Sequence, residues 1–331
     1  MKKLLSLAAA VIALSLVYSA PAQAAVLLKF AGQYALQHPS TILMQELADS
    51  VKERTNGEVD IRVFPANQLG DYTQVYEEVR RGTIEMALIS IPGQFDYRLE
   101  AAVMPYIATD YEEAKRVYAR GSTMFKIMDE SHTTLGVKFL GFNVEGFGGL
   151  GGIKLPENLD QPEAKRNFIL RIPPMATWQI VGEDHGFQTV TIPFAELYTS
   201  LQTGVAEGWY GGPPNDNWYG FRDVIKVFVV CNNFFANTGY IMHQATFDKL
   251  SPEHQKVISE EAIRIGEKSF GIAQEEEEGY LKKMEEYGIQ VVRFTPEQLK
   301  AWADYTRKVS WPKMEDRLTK PVIDAMLSEY K

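Results

Sequence analysis

With one cysteine, Cys231, in 331 residues, the chain can form no internal disulfide, so its stability rests on burial rather than on cross-links. A small buried hydrophobe is the role that suits Cys231. Positive charge is also scarce: 34 Lys and Arg stand against 43 Asp and Glu, a net charge of −9. No basic stripe is present to follow a phosphate backbone, which argues against a nucleic-acid partner. There is no G-x-S-x-G, and His38, His132, His185, His243 and His254 never fall at H-x-x-x-H spacing, so neither a nucleophile with its base nor a zinc site is visible. Glu183-Asp184-His185 alone invites a catalytic reading. It sits at a helix end before Gly186, where an imidazolium interacts favourably with the helix dipole. The expectation is therefore a chain that is not an enzyme and uses no cofactor and no metal. Repeats and low-complexity runs are absent as well.

What is present divides the chain into a leader and two lobes. Met1-Lys2-Lys3, the apolar run Leu4 to Tyr18 and the small-residue site Ala22-Gln23-Ala24 read as a secretory leader over residues 1–24; the apolar run is short for a membrane span. Beyond it, 45% hydrophobic and 23% charged residues suit a globular protein long enough for two cores. Strands are expected at Leu27 to Ala31, Val59 to Phe64 and Ile84 to Ile89. Between them lie a helix capped by Ser40, with Ile42, Leu43, Leu47 and Val51 on its buried face and Gly57 at its end, and a helix from Asp71 to Arg81 stopped by Gly82. This β-α-β-α-β order predicts a mainly parallel sheet, with ligands at the carboxyl ends of its strands. Those ends place Gln33 and Tyr34, Leu69 to Tyr72, and Ser90 to Gln94 at a site.

Helices beginning at Asp110 and Ser122 and a strand from Val137 to Asn143 follow. Five glycines in the seven residues Gly146 to Gly152 lack the lysine and the helix of a phosphate loop, and read instead as a crossover between lobes. The chain returns through a strand at Asn237 to His243. Ser251-Pro252-Glu253 opens a long helix through about Tyr287, whose Glu275 to Glu278 read as a solvated face. Gln290 to Phe294 forms a last strand, and Thr295 to Gln298 a capping box. The lobes are then residues 25–145 with 237–277, and 146–236 with 278–331.

Chemistry concentrates between Phe168 and Tyr219. Arg171 ends an apolar, strand-like run stopped by Pro173-Pro174. A guanidinium there keeps its charge and needs an anion. Glu183, Asp184, Glu196 or Glu207 could supply one internally, and a bound solute could equally do so. The same stretch gathers Trp178, Phe194, Trp209, Tyr210 and Trp218.

Arg171-Ile172-Pro173, Ile192-Pro193-Phe194-Ala195-Glu196-Leu197-Tyr198 and Leu201-Gln202-Thr203-Gly204-Val205-Ala206-Glu207-Gly208 resemble the most diagnostic segment of the DctP-type periplasmic solute-binding proteins of tripartite ATP-independent periplasmic (TRAP) transporters. Upstream, Thr55 to Pro65, Gln68-Leu69-Gly70-Asp71 and Gly82 to Ala87 resemble that family's N-terminal signatures. The resemblance implies an α/β fold, the two-lobed periplasmic binding protein fold, with hinge strands and a long connecting helix that closes on its ligand. It further implies a periplasmic location, TRAP membrane permease subunits as partners, and a ligand carboxylate held by Arg171 in a two-point bond with Phe194 packed against it.

The departures from the family bear on the ligand. Gly148 stands where many members carry a second arginine, and the charged pair of sialate-binding relatives is missing near Ser90 and Gly93. Trp209 and Gly211 replace the family's Gln and Asn. The expected pocket is thus less cationic and more aromatic than that of a dicarboxylate or sugar-acid binder. Its expected ligand is a small monocarboxylate with an apolar or aromatic body, beside Arg171, Phe194, Trp209, Gly211, Tyr72, Ser90, Gln33, Phe147 and Asn215. Trp178 and Trp218 read as core. A sulfonate in place of the carboxylate, and a sensor subunit serving a receptor kinase in place of a transporter, fit the same residues.

Overall fold

Eleven strands divide between two sheets in the computed structural model, which describes residues 25–318, 320 and 322–324; the leader expected over 1–24 lies outside the described residues. The first sheet contains β1 (Val26–Gly32), β2 (Val59–Phe64), β3 (Met86–Ile89), β4 (Val137–Phe147) and β10 (Phe235–His243), in the order β2-β1-β3-β10-β4. The second contains β5 (Leu150–Gly152), β6 (Ile169–Ile172), β7 (Gln188–Thr191), β8 (Gly208–Tyr210), β9 (Val227–Val230) and β11 (Gln290–Arg293), in the order β11-β9-β5-β8-β6-β7. This is the two-lobed α/β architecture expected from the sequence.

The βαβ units pair in parallel, β1 with β2 and with β3. The first sheet is nevertheless mixed rather than mainly parallel, because β10 returns from the second lobe and runs antiparallel between β3 and β4. A strand arriving from the opposite lobe has no crossover helix to turn it round.

Several local signals operate as written. Asp71 and Gln74 form a capping box on helix Tyr72–Arg81, and Gly82 closes it in the left-handed region at φ 76°. Ser122, Asp110 and Ser251 cap their helices, and Thr295 with Gln298 forms the last capping box. The helix at Pro39–Arg54 corrects the expectation. Its cap is His38, whose Nδ1 accepts from the Ser40 amide, while Ser40 lies inside the helix and Thr55 ends it. Ile42 is 57% exposed, because Thr41, Met44 and Ala48 complete the buried face in its place.

The glycine-rich crossover is mostly strand: β4 runs on through Phe147, and β5 resumes at Leu150 in the other sheet. Gly148 and Gly149 are needed there because a Cβ would stand 2.1 Å from the Phe234 ring or 2.4 Å from the Val229 carbonyl. Both crossings, β4 to β5 and β9 to β10, therefore lie side by side. Helix Pro252–Tyr287 packs on β4 along its middle, where Gly266 and Ser269 meet Phe142 and Val144, and also contacts β11, so it ties the two sheets together. Along its acidic run Glu275, Glu276 and Glu278 are exposed as expected, whereas Glu277 is half-buried and accepts from Tyr111 Oη.

The C-terminal segment touches both lobes. Trp311 Nε1 donates to the Pro105 carbonyl and Arg307 to that of Tyr106, while Ser310 Oγ donates to Asp184. The largest apolar cluster likewise runs through both lobes, from Tyr76 and Phe139 to Trp178 and Trp302.

Candidate functional site

A cleft of about 550 Å³, open space at its mouth included, lies between the two sheets. Gln33 and Tyr34 reach it from the end of β1, Tyr72 from the segment after β2 and Ser90 from the end of β3, as the carboxyl-end rule for parallel strands requires. Gln33 and Ser90 fasten each other: Gln33 Nε2 donates to Ser90 Oγ at 3.0 Å, and the Ser90 amide donates to Gln33 Oε1 at 2.8 Å. The second lobe contributes Arg171, Pro173, Met175, Trp178, Phe194 and Trp209 through Gly211.

Arg171 lies on β6 in register with Trp209 on β8, so the two backbones stand side by side at the cleft. Its Nε donates to the Ile192 carbonyl at 2.8 Å, while Nη2 is buried without a partner. Among the described residues no carboxylate lies within ion-pair distance, so Glu183, Asp184, Glu196 and Glu207, the internal candidates, do not neutralise it. Glu207 instead pairs with Lys154 at 2.6 Å, and Asp184 with Lys313. Burial pulls the Arg171 pKa down to about 10, opposed by Tyr72 and Asp71, so the cation persists at neutral pH. Tyr72 Oη and Asn237 Oδ1, which line the same cleft, are also buried and unpartnered. Buried polar atoms are nearly always satisfied in folded proteins, and three unpartnered ones share this cleft.

Of the residues named from sequence, Arg171, Phe194, Trp209, Gly211, Tyr72, Ser90 and Gln33 line the cleft. Phe147 and Asn215 do not. Phe147 packs edge-on against Tyr111 and Phe235 in the core, and Asn215 borders a separate crevice beside the long helix. Trp209 Nε1 donates to Asn217 at 3.1 Å, which holds the indole in place beside Phe194 and Phe221. Trp178, read as core, is both: it stands edge-on to Phe234 and borders the cleft. Trp218 lies away from it, against Tyr287. His185 is fully buried between Tyr210 Oη and Thr306 Oγ1, and burial lowers its pKa to about 3. It is a neutral core histidine, so the dipole argument for a charged ring does not apply.

Sequence reasoning missed the acidic side of the cleft. Glu145 on β4 and Asp216 from the opposite lobe both border it, each about 5% exposed. Tyr34 Oη lies 2.8 Å from Glu145 Oε2 and 3.2 Å from Asp216 Oδ2, and His38 Nε2 lies 2.8 Å from Asp216 Oδ1. Because His38 Nδ1 accepts the Ser40 amide, the neutral ring carries its proton on Nε2 and donates it to Asp216. Burial is the main force raising both carboxyl pKa values, each to about 8, and for Glu145 the neighbouring Asp216 charge adds to it. Burial also lowers His38, to about 4. Only a polar pair read as a unit in the fold could have flagged this, since Tyr34 is 182 residues from Asp216.

The lobes also meet beside the cleft. Helix Ala176–Asp184 has no side-chain cap of its own. Glu100 from the other lobe supplies one, accepting from the Thr177 amide at 2.9 Å and the Ala176 amide at 3.3 Å. Gly93 makes room for this carboxylate, because a Cβ there would lie 2.1 Å from Glu100 Cγ. Asp71 Oδ2 accepts the Ala195 amide across the same gap at 3.1 Å.

Comparison with known proteins shows the family and agrees with the fold. Residues 30–316 match the family described as bacterial extracellular solute-binding protein, family 7 (DctP). The C4-dicarboxylate-binding periplasmic protein DctP of Rhodobacter capsulatus is 26% identical over 321 residues, 95% of this chain and 94% of its own length. Among solved structures, a TRAP periplasmic solute-binding protein from Desulfovibrio salexigens with bound orotic acid superposes with a TM-score of 0.83 at 21% identity, covering 92% of this chain and 98% of that one. The sugar acid binding protein DctPAm from Advenella mimigardefordensis, in complex with galactonate, gives 0.84 at 18% identity over the same shares.

Proposed function

Because the chain belongs to the DctP family, bacterial extracellular solute-binding protein family 7, we propose that it captures a small organic acid in the periplasm and hands it to the membrane permease subunits of a TRAP transporter. The acid's carboxylate sits on Arg171, and its apolar or aromatic body lies among Phe194, Trp209, Trp178 and Tyr72. The observation that carries this reading is the buried Arg171 Nη2, without a partner on the wall of the cleft between lobes. A carboxylate there gains charge-assisted bonds in a dry site, and closure is favoured because the ligand touches both lobes at once. The proposed lobes are 25–145 with 237–277, and 146–236 with 278–331, joined by the two crossings and the long helix.

The aromatic wall and the absence of a second cation favour a monocarboxylate. Gly148 cannot host another arginine, since even a Cβ there meets the Phe234 ring at 2.1 Å. A thermal-shift screen of aliphatic, aromatic, sugar and dicarboxylic acids tests the proposal. Ligand at a hundred times its Kd stabilises by about 2.7 kcal/mol, enough to move the melting temperature measurably. Monocarboxylates with apolar bodies are expected to raise it. A response confined to sugar acids or dicarboxylates overturns the reading.

A further inference from the structure

The cleft wall carries three ionisable side chains, Arg171 and Asp216 from one lobe and Glu145 from the other. The hydrogen-bond inventory of the acidic side does not close. Glu145 Oε1 accepts from Thr238 Oγ1 at 3.0 Å, with Ser40 Oγ and Asn143 Nδ2 at 3.3 and 3.4 Å, and Oε2 faces Tyr34 Oη at 2.8 Å. Asp216 Oδ1 receives the His38 proton. Asp216 Oδ2 depends on Tyr34 Oη, 3.2 Å away, whose single proton already serves the shorter bond to Glu145. With both carboxyls ionised one donor is missing at this oxygen, and either a proton kept on the pair or a bound group supplies it.

A second is missing at Asn237. Its Nδ2 donates to the carbonyls of Ala102 and Phe235 at 2.8 and 2.9 Å, which fixes the amide orientation and leaves Oδ1 buried, unpartnered and on the cleft wall. At Arg171 the imbalance is reversed, because Nη2 is a donor without an acceptor. A plain monocarboxylate supplies the acceptor and none of the donors.

We infer that the solute is a zwitterion, its carboxylate on Arg171 and a protonated nitrogen directed at the Glu145–Asp216 pair and Asn237 Oδ1. This inference rests on the organic-acid reading and narrows it. An ammonium brings up to three donors and the positive charge that two buried carboxyls lack; a hydroxyl brings one donor and no charge. Burial raises both carboxyls to about 8, the Asp216 charge adding to it at Glu145, and a bound cation offsets both costs. Asp216 and Glu145 come from opposite lobes, so a nitrogen between them also favours the closed arrangement.

The test is calorimetric titration of the full mature chain at pH 7 with matched sets. Phenylalanine is compared with 3-phenylpropionate and 3-phenyllactate, leucine with 4-methylpentanoate and its 2-hydroxy acid, and 4-aminobutyrate with butyrate and 4-hydroxybutyrate. In at least one set the amino acid is expected to bind about tenfold or more tightly than both counterparts. Asp216→Asn is expected to reduce that ratio toward one. If the variant does not fold, the wild-type ratios decide alone. Acids without nitrogen that bind as well as their amino counterparts, with binding lost in Arg171→Ala, overturn the zwitterion and leave the carboxylate site standing. If no acid of any set binds, both fail.

Discussion

The two sides of the cleft are built on opposite principles. Arg171 is positioned by a single bond to the Ile192 carbonyl and left without a counter-ion. Glu145 and Asp216 are surrounded by Tyr34, His38, Ser40, Asn143 and Thr238, and only Asp216 Oδ2 has no contact beyond the longer one to Tyr34 Oη. A buried charge without its partner costs stability, whereas a buried carboxyl can lower its cost by taking up a proton. The cationic side therefore keeps its charge at every ordinary pH, and the acidic side adjusts its own. The protein keeps a fixed electrostatic demand on one side and a titratable one on the other.

Removing the fixed side should have the largest effect. Arg171→Ala is expected to abolish acid binding, a loss of about 2–5 kcal/mol for a buried charged hydrogen bond. Arg171→Lys should weaken it strongly, because a point charge cannot form the two-point fork; calorimetry reads both. Affinity retained in the Lys variant would show that charge alone suffices. The same uncompensated guanidinium predicts an inverted stability effect: Arg171→Met should raise the melting temperature of the ligand-free protein while eliminating binding.

Loss of the cross-lobe cap should be smaller. Glu100→Ala leaves the amides of Ala176 and Thr177 without their acceptor. Its expected cost is about 1–2 kcal/mol of stability, with weakened binding because the closed arrangement loses a bond. Denaturant unfolding and titration measure the two separately.

The titratable side should appear as a pH slope. Glu145 and Asp216 have folded pKa values raised to about 8, so the folded state binds more protons than the unfolded, and their stabilising contribution is lost as pH rises through 8. Buried His38, His132 and His185 act in the opposite sense. Their pKa values, lowered to about 4, 4 and 3, make the stability of those sites complete above the ordinary histidine value and lost as pH falls through the folded values. The two effects oppose each other below about pH 6.5, the unperturbed histidine value. From there to pH 8 the acid pair acts alone among these groups, so the melting temperature of the ligand-free protein should fall. Asp216→Asn should flatten that decline, and an unchanged slope would show that the pair does not hold the proton.

The smallest expected effect is at Asn215, which borders the neighbouring crevice and not the cleft. Asn215→Ala should leave affinity within about twofold, in the range of ordinary surface changes. A larger loss would extend the site into that crevice.

Much of the site could be read before the fold was known, yet unevenly. Gln33, Tyr34, Tyr72 and Ser90 follow from the rule that ligands meet the carboxyl ends of parallel strands, and all four line the cleft. Among the aromatics the same reading took Phe147 into the site and left Trp178 in the core, whereas the structure places Phe147 off the cleft and Trp178 at its wall. Both are buried and both are flanked by apolar neighbours, so nothing in their local sequence distinguishes a core wall from a cleft wall.

By itself the sequence determined what acts over a few residues: the caps at Asp71, Ser122, Ser251 and Thr295, the stop at Gly82, the crossover glycines and an arginine at the end of a buried strand. These depend on hydrogen bonds and backbone angles that neighbouring residues satisfy among themselves. The tertiary structure alone decided that Arg171 has no counter-ion, that Glu100 caps a helix 77 residues away, and that Tyr34 joins Glu145 to Asp216. Such contacts arise where two lobes face each other, and the chain between them carries no periodicity that records which side chains will meet.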